Sequence, residues 1–251
     1  MSAQKSQPWL PETRPPALEA AEVHVWRTSL DRAEDELLHL RGYLCPSELA
    51  RSDRFIRPEL RSRFTVARGT LRLLLAGYLG VQPEDIEFEV DDHGKPYIAG
   101  AASPLFNISH SADHALFAFA RDLDVGIDLE ATRRRSASWP IAERFFAPEE
   151  LASLRELDPD EFEAGFFRVW TRKEAYLKGV GSGITRPLDS FAVSVDDLKP
   201  ALLHDHLSPL ARESWRLVAL EPGRGLVGTL AVRAERFEVR QYDAELSLIH
   251  I

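Results

Sequence analysis

Asp124-Val125-Gly126-Ile127-Asp128-Leu129-Glu130 alternates apolar residues with acidic or small ones, the period of two that marks a half-buried β-strand. Val125, Ile127 and Leu129 take one face, while Asp124, Gly126, Asp128 and Glu130 take the other. Carboxylates two residues apart on one strand face stand side by side, near enough to share a hard divalent cation that needs oxygen ligands. Gly126 is expected to leave open space beside them. A strand with an acidic solvent face fits the same pattern, so the segment alone leaves both readings open.

Working outward, strands are expected at 23–26, 106–109 and 115–120, short helices at 31–40 and 46–55, and a long helix at 60–78. In that helix Phe64, Ala67, Leu71, Leu75 and Tyr78 recur at spacings of three and four on one side. A hairpin joins 86–90 to 95–98 through the turn at 91–94, with Pro96 placing the second strand at an edge. Beyond the central strand, helices are expected at 142–157 and 162–178, and strands at 191–195, 215–220, 228–232 and 237–242. Both halves run as strand, helical region and several strands, which favours an α+β fold over a doubly wound parallel sheet. The expected divisions are a proline-rich flexible lead at 1–16, an N-terminal half at 17–122 and a C-terminal half at 123–251.

The 251 residues carry 31 Lys and Arg against 40 Asp and Glu, a net charge of −9. That balance argues against a protein that coats nucleic-acid phosphates, so any basic site is local. Cys45 is the single cysteine, which rules out an intrachain disulfide and a cysteine-rich zinc site and suits a reducing compartment. The N-terminus has no signal-peptide core, and the longest apolar stretch, 73–81, is too short to span a bilayer. A soluble, cytoplasmic protein without membrane or nucleic-acid partners is expected.

A second motif, Trp170-Thr171-Arg172-Lys173-Glu174-Ala175-Tyr176-Leu177-Lys178, lies in a helical stretch followed by Gly179, Gly181 and Gly183. Trp170, Glu174 and Lys178 share a face at i, i+4 and i+8, so the carboxylate can complete a metal site while the ammonium holds a phosphate beside it. An ordinary Glu-to-Lys helix pair, worth only about 0.2–0.5 kcal/mol, fits the same residues. A third cluster holds seven arginines at 51, 54, 57, 61, 63, 68 and 72 against Asp53 and Glu59. Guanidinium forks at that density suit a polyanionic ligand, and a solvated helix face is the competing reading. Lys95 and His110 are further phosphate donors. Ser109 lacks an evident base for nucleophilic catalysis, His204-x-His206 reads as a loop, and the 179–183 glycine run follows a helix, the wrong polarity for a phosphate loop.

Taken together, Gly94-Lys95-Pro96-Tyr97, Phe106-Asn107-Ile108-Ser109-His110-Ser111, Gly126-Ile127-Asp128-Leu129-Glu130, Arg144-Phe145-Phe146 with Glu150, residues 170–178, and Pro187-Leu188-Asp189-Ser190-Phe191 resemble the 4′-phosphopantetheinyl transferases, in particular the larger type that activates peptide synthetases. The pieces run in the family's order over residues 50–195. The resemblance implies two similar α/β halves related by a pseudo-twofold axis, with coenzyme A bound between them. It implies transfer of 4′-phosphopantetheine from coenzyme A to a serine hydroxyl of an apo acyl or peptidyl carrier protein, releasing 3′,5′-ADP. Asp128, Glu130 and Glu174 then hold Mg²⁺, and Asp128 also belongs to the coenzyme A site. Lys178 contacts the phosphate and stabilises developing charge, while Glu174 or its rival Glu150 acts as base. Lys95, Ser109 and His110 grip the nucleotide phosphates, and Arg51 and Arg63 match positions where the family places basic residues. Two halves in one chain imply a monomer. The other readings are a non-catalytic coenzyme A or carrier-protein binding module and a metal-dependent phosphodiesterase using the same carboxylates.

Overall fold

The computed structural model describes residues 8–92, 94–132, 137–181 and 186–244. From the N-terminus, β1 (Leu10–Glu12) and β2 (Glu22–Ser29) precede helices α1 (Glu34–Gly42), α2 (Pro46–Asp53) and α3 (Pro58–Leu79). The hairpin of β3 (Phe88–Val90) and β4 (Pro96–Ile98) leads to β5 (Leu105–Ser111), β6 (His114–Ala120) and β7 (Val125–Ala131). Helices α4 (Trp139–Phe145), α5 (Pro148–Arg155) and α6 (Phe162–Val180) follow. The described residues continue with β8 (Phe191–Val193), β9 (Leu202–Asp205), a short α7 (Ala211–Ser214), β10 (Trp215–Leu220), β11 (Leu226–Arg233) and β12 (Glu238–Ala244).

Two sheets carry the architecture, one of five strands in the order β1-β12-β2-β6-β5 and one of three in the order β10-β11-β7. Strand alternation explains the layers. On the first sheet, Trp26, Phe117 and Phe119 pack against Val66, Leu71, Leu74 and Leu75 of α3. The opposite face, with Val23, Val25, Leu116 and Ala118, meets Val125, Ile127, Leu129, Leu230 and Val232 of the second sheet. The far side of the second sheet, with Trp215, Leu217 and Ala231, buries the apolar side of α6. Each long helix thus covers one sheet, the α+β arrangement that the repeated order of elements predicts.

Backbone pairing is mostly antiparallel, but β12 runs parallel to both β1 and β2. Strand β12, within the expected C-terminal half 123–251, therefore joins the sheet of the first half. The same pairing ties down part of the expected flexible lead: β1 lies beside β12, and the Trp9 indole donates to the Glu221 carbonyl at 2.7 Å. The single helical region expected at 142–157 is broken by Pro148, which cannot donate to a preceding turn and instead opens α5. His204 sits on β9 instead of a loop, with Nε2 2.9 Å from Glu149 Oε1. His93 of the hairpin turn and Gly183 of the glycine run lie outside the described residues.

Candidate active site

Strand β7 is the platform. Its backbone pairs with β11 on one side, which leaves the N–H groups of Ile127, Leu129 and Ala131 pointing toward β5. Unpaired buried donors of this kind are costly. Side chains of β5 satisfy all three: Asn107 Oδ1 accepts from Ile127 at 2.8 Å, Ser109 Oγ from Leu129 at 3.2 Å, and Ser111 Oγ from Ala131 at 3.1 Å. Side-chain oxygens thus stand where a neighbouring strand would be, and they join the two sheets.

Helix α6 closes the acidic face of β7. The open space expected beside Gly126 is filled by this helix: a Cβ there would lie 2.1 Å from the Ala175 carbonyl oxygen and 2.2 Å from the Gly179 nitrogen. Gly179, expected as a stop signal, is instead inside α6, where a Cβ would strike the Trp215 ring at 2.6 Å. The helix ends two residues later at Gly181, whose φ of 75° admits the left-handed cap. Close packing at Gly126 and Gly179 sets Glu174 and Lys178 over the carboxylates of β7.

There, Lys178 Nζ lies 2.6 Å from Asp128 Oδ1 and donates to Ser109 Oγ at 3.0 Å. Ser109 in turn donates to Asp128 Oδ1 at 2.9 Å, and Ser111 to Glu130 Oε2 at 2.9 Å. Burial pushes the Asp128 carboxyl up, against the pull of Lys178 and Ser109. Its second oxygen, Oδ2, is buried and has no hydrogen-bond partner. Glu174 is raised first by burial and then by the charges of Asp128 and Glu130, with Lys178 acting in the opposite sense. The cluster therefore holds an excess of negative charge at low accessibility, with one ammonium to balance it. Among the described residues no three acidic, histidine or cysteine side chains already form a metal cage.

A 4′-phosphopantetheinyl transferase superfamily model matches residues 124–231, and a 4′-phosphopantetheinyl transferase N-terminal model matches residues 26–121. The chain is 40% identical over 227 residues to 4′-phosphopantetheinyl transferase HetI of Nostoc sp., covering 89% of this chain and 93% of that protein. It is 32% identical over 173 residues to 4′-phosphopantetheinyl transferase Sfp of Bacillus subtilis, covering 68% of this chain and 76% of that one. The chain belongs to the 4′-phosphopantetheinyl transferase superfamily.

In this transferase the residues singled out from sequence divide by position. Asp128, Glu130, Glu174, Lys178 and Ser109 meet in one cluster. Glu150 does not join them. It is 1% exposed, and its carboxylate accepts from the backbone of Ala147 and Val193, each at 2.7 Å, while facing Lys173 Nζ at 2.9 Å. That buried pair ties α5 and β8 to α6. Lys95 bridges the β3–β4 hairpin to the second sheet, its Nζ donating to the carbonyls of Lys178 at 2.9 Å and Val125 at 3.4 Å. Burial lowers its pKa. His110 alternates with Ser109 along β5 and is exposed on the other face of the strand.

The arginine cluster is largely consumed by the fold. Arg72, 1% exposed, donates to Glu48 at 2.7 Å and to the carbonyls of Pro83 and Ile86, and Arg68 grips the other oxygen of Glu48. Burial raises the Glu48 carboxyl, but the two guanidiniums outweigh it and hold it below the usual range. Arg63 pairs with Asp31 at 2.9 Å and donates to the Ala112 carbonyl in the β5–β6 turn, close to His110. Arg51 is exposed on α2, over the Phe64 ring at 5.3 Å. Sequence reasoning missed the roles of Asn107 and Ser111; their spacing with Ser109 at 107, 109 and 111 was the available signal.

Proposed function

We infer that this protein transfers 4′-phosphopantetheine from coenzyme A to a serine hydroxyl of an apo acyl or peptidyl carrier protein, with release of 3′,5′-ADP. The observation that carries the reading is the three-carboxylate, one-ammonium cluster with the partnerless buried oxygen of Asp128. Buried negative charge in excess calls for a cation, and a hard, oxygen-only donor set suits Mg²⁺. Asp128, Glu130 and Glu174 are the residues that would hold it. When bound, the ion offsets charge on the pyrophosphate and on the leaving oxygen.

Lys178 is 30% exposed at its side chain, so its ammonium can turn from Asp128 to an incoming phosphate and stabilise charge there. Glu174 accepts the serine proton as the serine Oγ–P bond forms and the P–O bond to 3′,5′-ADP breaks. Its place on α6 over the carboxylates of β7, one turn from Lys178, suits that role, and the burial of Glu150 beneath Lys173 speaks against the rival base. Ser109 lies within the cluster. Arg63 and His110 border the same turn and are candidates for the nucleotide phosphates. Lys95 would join them only by exchanging its two carbonyl partners, and Arg51 is the most peripheral candidate. The site would lie between halves 17–122 and 123–251 of one chain, hence a monomer. Among the described residues no helix is long and apolar enough to cross a membrane. A cytoplasmic location is proposed from the single cysteine.

The test is incubation with coenzyme A, Mg²⁺ and several apo carrier proteins, followed by mass spectrometry. One added phosphopantetheine on a carrier is the expected result, and Glu174→Gln abolishes it while leaving the fold intact. No mass gain on any carrier overturns the reading. Tight coenzyme A binding without turnover indicates the binding module, and 3′,5′-ADP release without an acceptor indicates a phosphodiesterase.

A further inference from the structure

The hydroxyls of Ser109 and Ser111 each do two things at once. A serine hydroxyl has one proton and two lone pairs. Ser111 Oγ accepts the Ala131 N–H at 3.1 Å and donates its proton to Glu130 Oε2 at 2.9 Å. Ser109 Oγ does the same for the Leu129 N–H and Asp128. Asn107 makes the third bond of the seam, to the Ile127 N–H at 2.8 Å, and touches no carboxylate of the cluster. The hydroxyls of Ser109 and Ser111 therefore take part both in the register of β5 against β7 and in the aim of the two acids.

We propose that Ser111 is a positioning residue: its hydroxyl, locked by the Ala131 N–H, holds the Glu130 carboxylate in the orientation that a bound divalent cation requires. This rests on the transferase reading above, and it assigns a role to a residue that touches neither substrate nor metal. The physical reason is that Glu130 is only partly buried, and a glutamate side chain has rotamer freedom to lose when it is ordered as a ligand. Ser111 is 3% exposed and cannot follow it. A fixed donor beside a ligating carboxylate selects one rotamer before the cation arrives, and removing such an outer partner typically weakens metal binding about 10–100-fold.

Asn107 supplies a matched control, because Asn107→Ala breaks the same seam one step along without touching a carboxylate. Purified full-length wild type, Ser111→Ala, Asn107→Ala and Ser111→Thr are titrated with Mn²⁺ in the presence of coenzyme A. Free Mn²⁺ is read by electron paramagnetic resonance, and melting temperatures and transfer kinetics are recorded in parallel. Both alanine variants lower the melting temperature. Ser111→Ala also raises the Mn²⁺ dissociation constant by roughly 10-fold or more, with kcat recovering at saturating metal. Asn107→Ala keeps the wild-type metal affinity, and Ser111→Thr, which retains the hydroxyl, restores it.

Equal Mn²⁺ affinity in Ser111→Ala and Asn107→Ala overturns the positioning role and leaves Ser111 as a seam residue only. If Ser111→Thr does not fold, the comparison of the two alanine variants still decides. Failure of the transferase reading looks different, since then wild type itself modifies no carrier, whatever its affinity for Mn²⁺.

Discussion

Replacing Gly126 by alanine puts a methyl group where there is only helix backbone. The Cβ would stand 2.1 Å from the Ala175 oxygen, 2.2 Å from the Gly179 nitrogen and 2.7 Å from the Gly179 Cα. None of these atoms belongs to a side chain that can rotate away. An ordinary carbon–oxygen contact is about 3.3 Å, so α6 must recede from β7 by roughly 1.2 Å. Overpacking of this kind costs about 1–3 kcal/mol, which for a domain of this size lowers the melting temperature by about 2–12 °C. The larger effect is on activity, because Glu174 and Lys178 ride on the displaced helix. A misplacement of about 1 Å costs on the order of 100-fold in rate. Calorimetry gives the first quantity. Phosphopantetheine transfer to an apo carrier, measured well below the variant's melting temperature, gives the second. A Gly126→Ala protein that melts with the wild type and transfers at the same rate refutes the close packing of α6 on β7 and the argument built on it.

Glu174→Gln has a stability signature of its own. Above the ordinary glutamate value of 4.5, and up to the raised folded one, the folded state holds a proton that the unfolded chain has lost. Stability therefore falls as pH rises through that window, and the cost is fully present above it. The metal-free variant is expected to melt above the wild type at neutral pH and to converge with it near about pH 4; a lower melting temperature at neutral pH contradicts the repulsion. Glu150→Ala strands the buried Lys173 ammonium and should cost about 3–5 kcal/mol, with the surviving folded protein turning over at the wild-type rate; a stable but inactive variant would restore Glu150 as a base. Arg72→Met removes the donor to Glu48, Pro83 and Ile86 and should destabilise by a similar amount without changing the coenzyme A concentration for half-maximal rate, checked by chemical denaturation and steady-state kinetics.

Periodicity made the long elements legible. The alternation of 124–130 became β7, the three- and four-residue spacing of 60–78 became α3, and the face shared by Glu174 and Lys178 survived intact in α6. Where reading along the chain failed, a distant partner decided. β12 lies parallel to β2, on the other side of the expected division of the chain, and short segments such as β1 and β9 carry too little pattern to declare themselves without their partners. The arginine run looked like a ligand site because charge density is visible in sequence, whereas the buried Glu48 that pairs with both Arg68 and Arg72 lies on another helix.

Which side chains share a face could be read along the chain, because the periods of strand and helix are properties of the local backbone. The sequence placed Asp128 with Glu130 and Glu174 with Lys178 as two separate pairs. Long-range packing brings the pairs together, buries Glu150 beneath Lys173, and sets Asn107, Ser109 and Ser111 along the free edge of β7. Those outcomes depend on two glycines that let α6 approach the strand and on donors that burial leaves in need of partners, and both arise only when distant segments pack together.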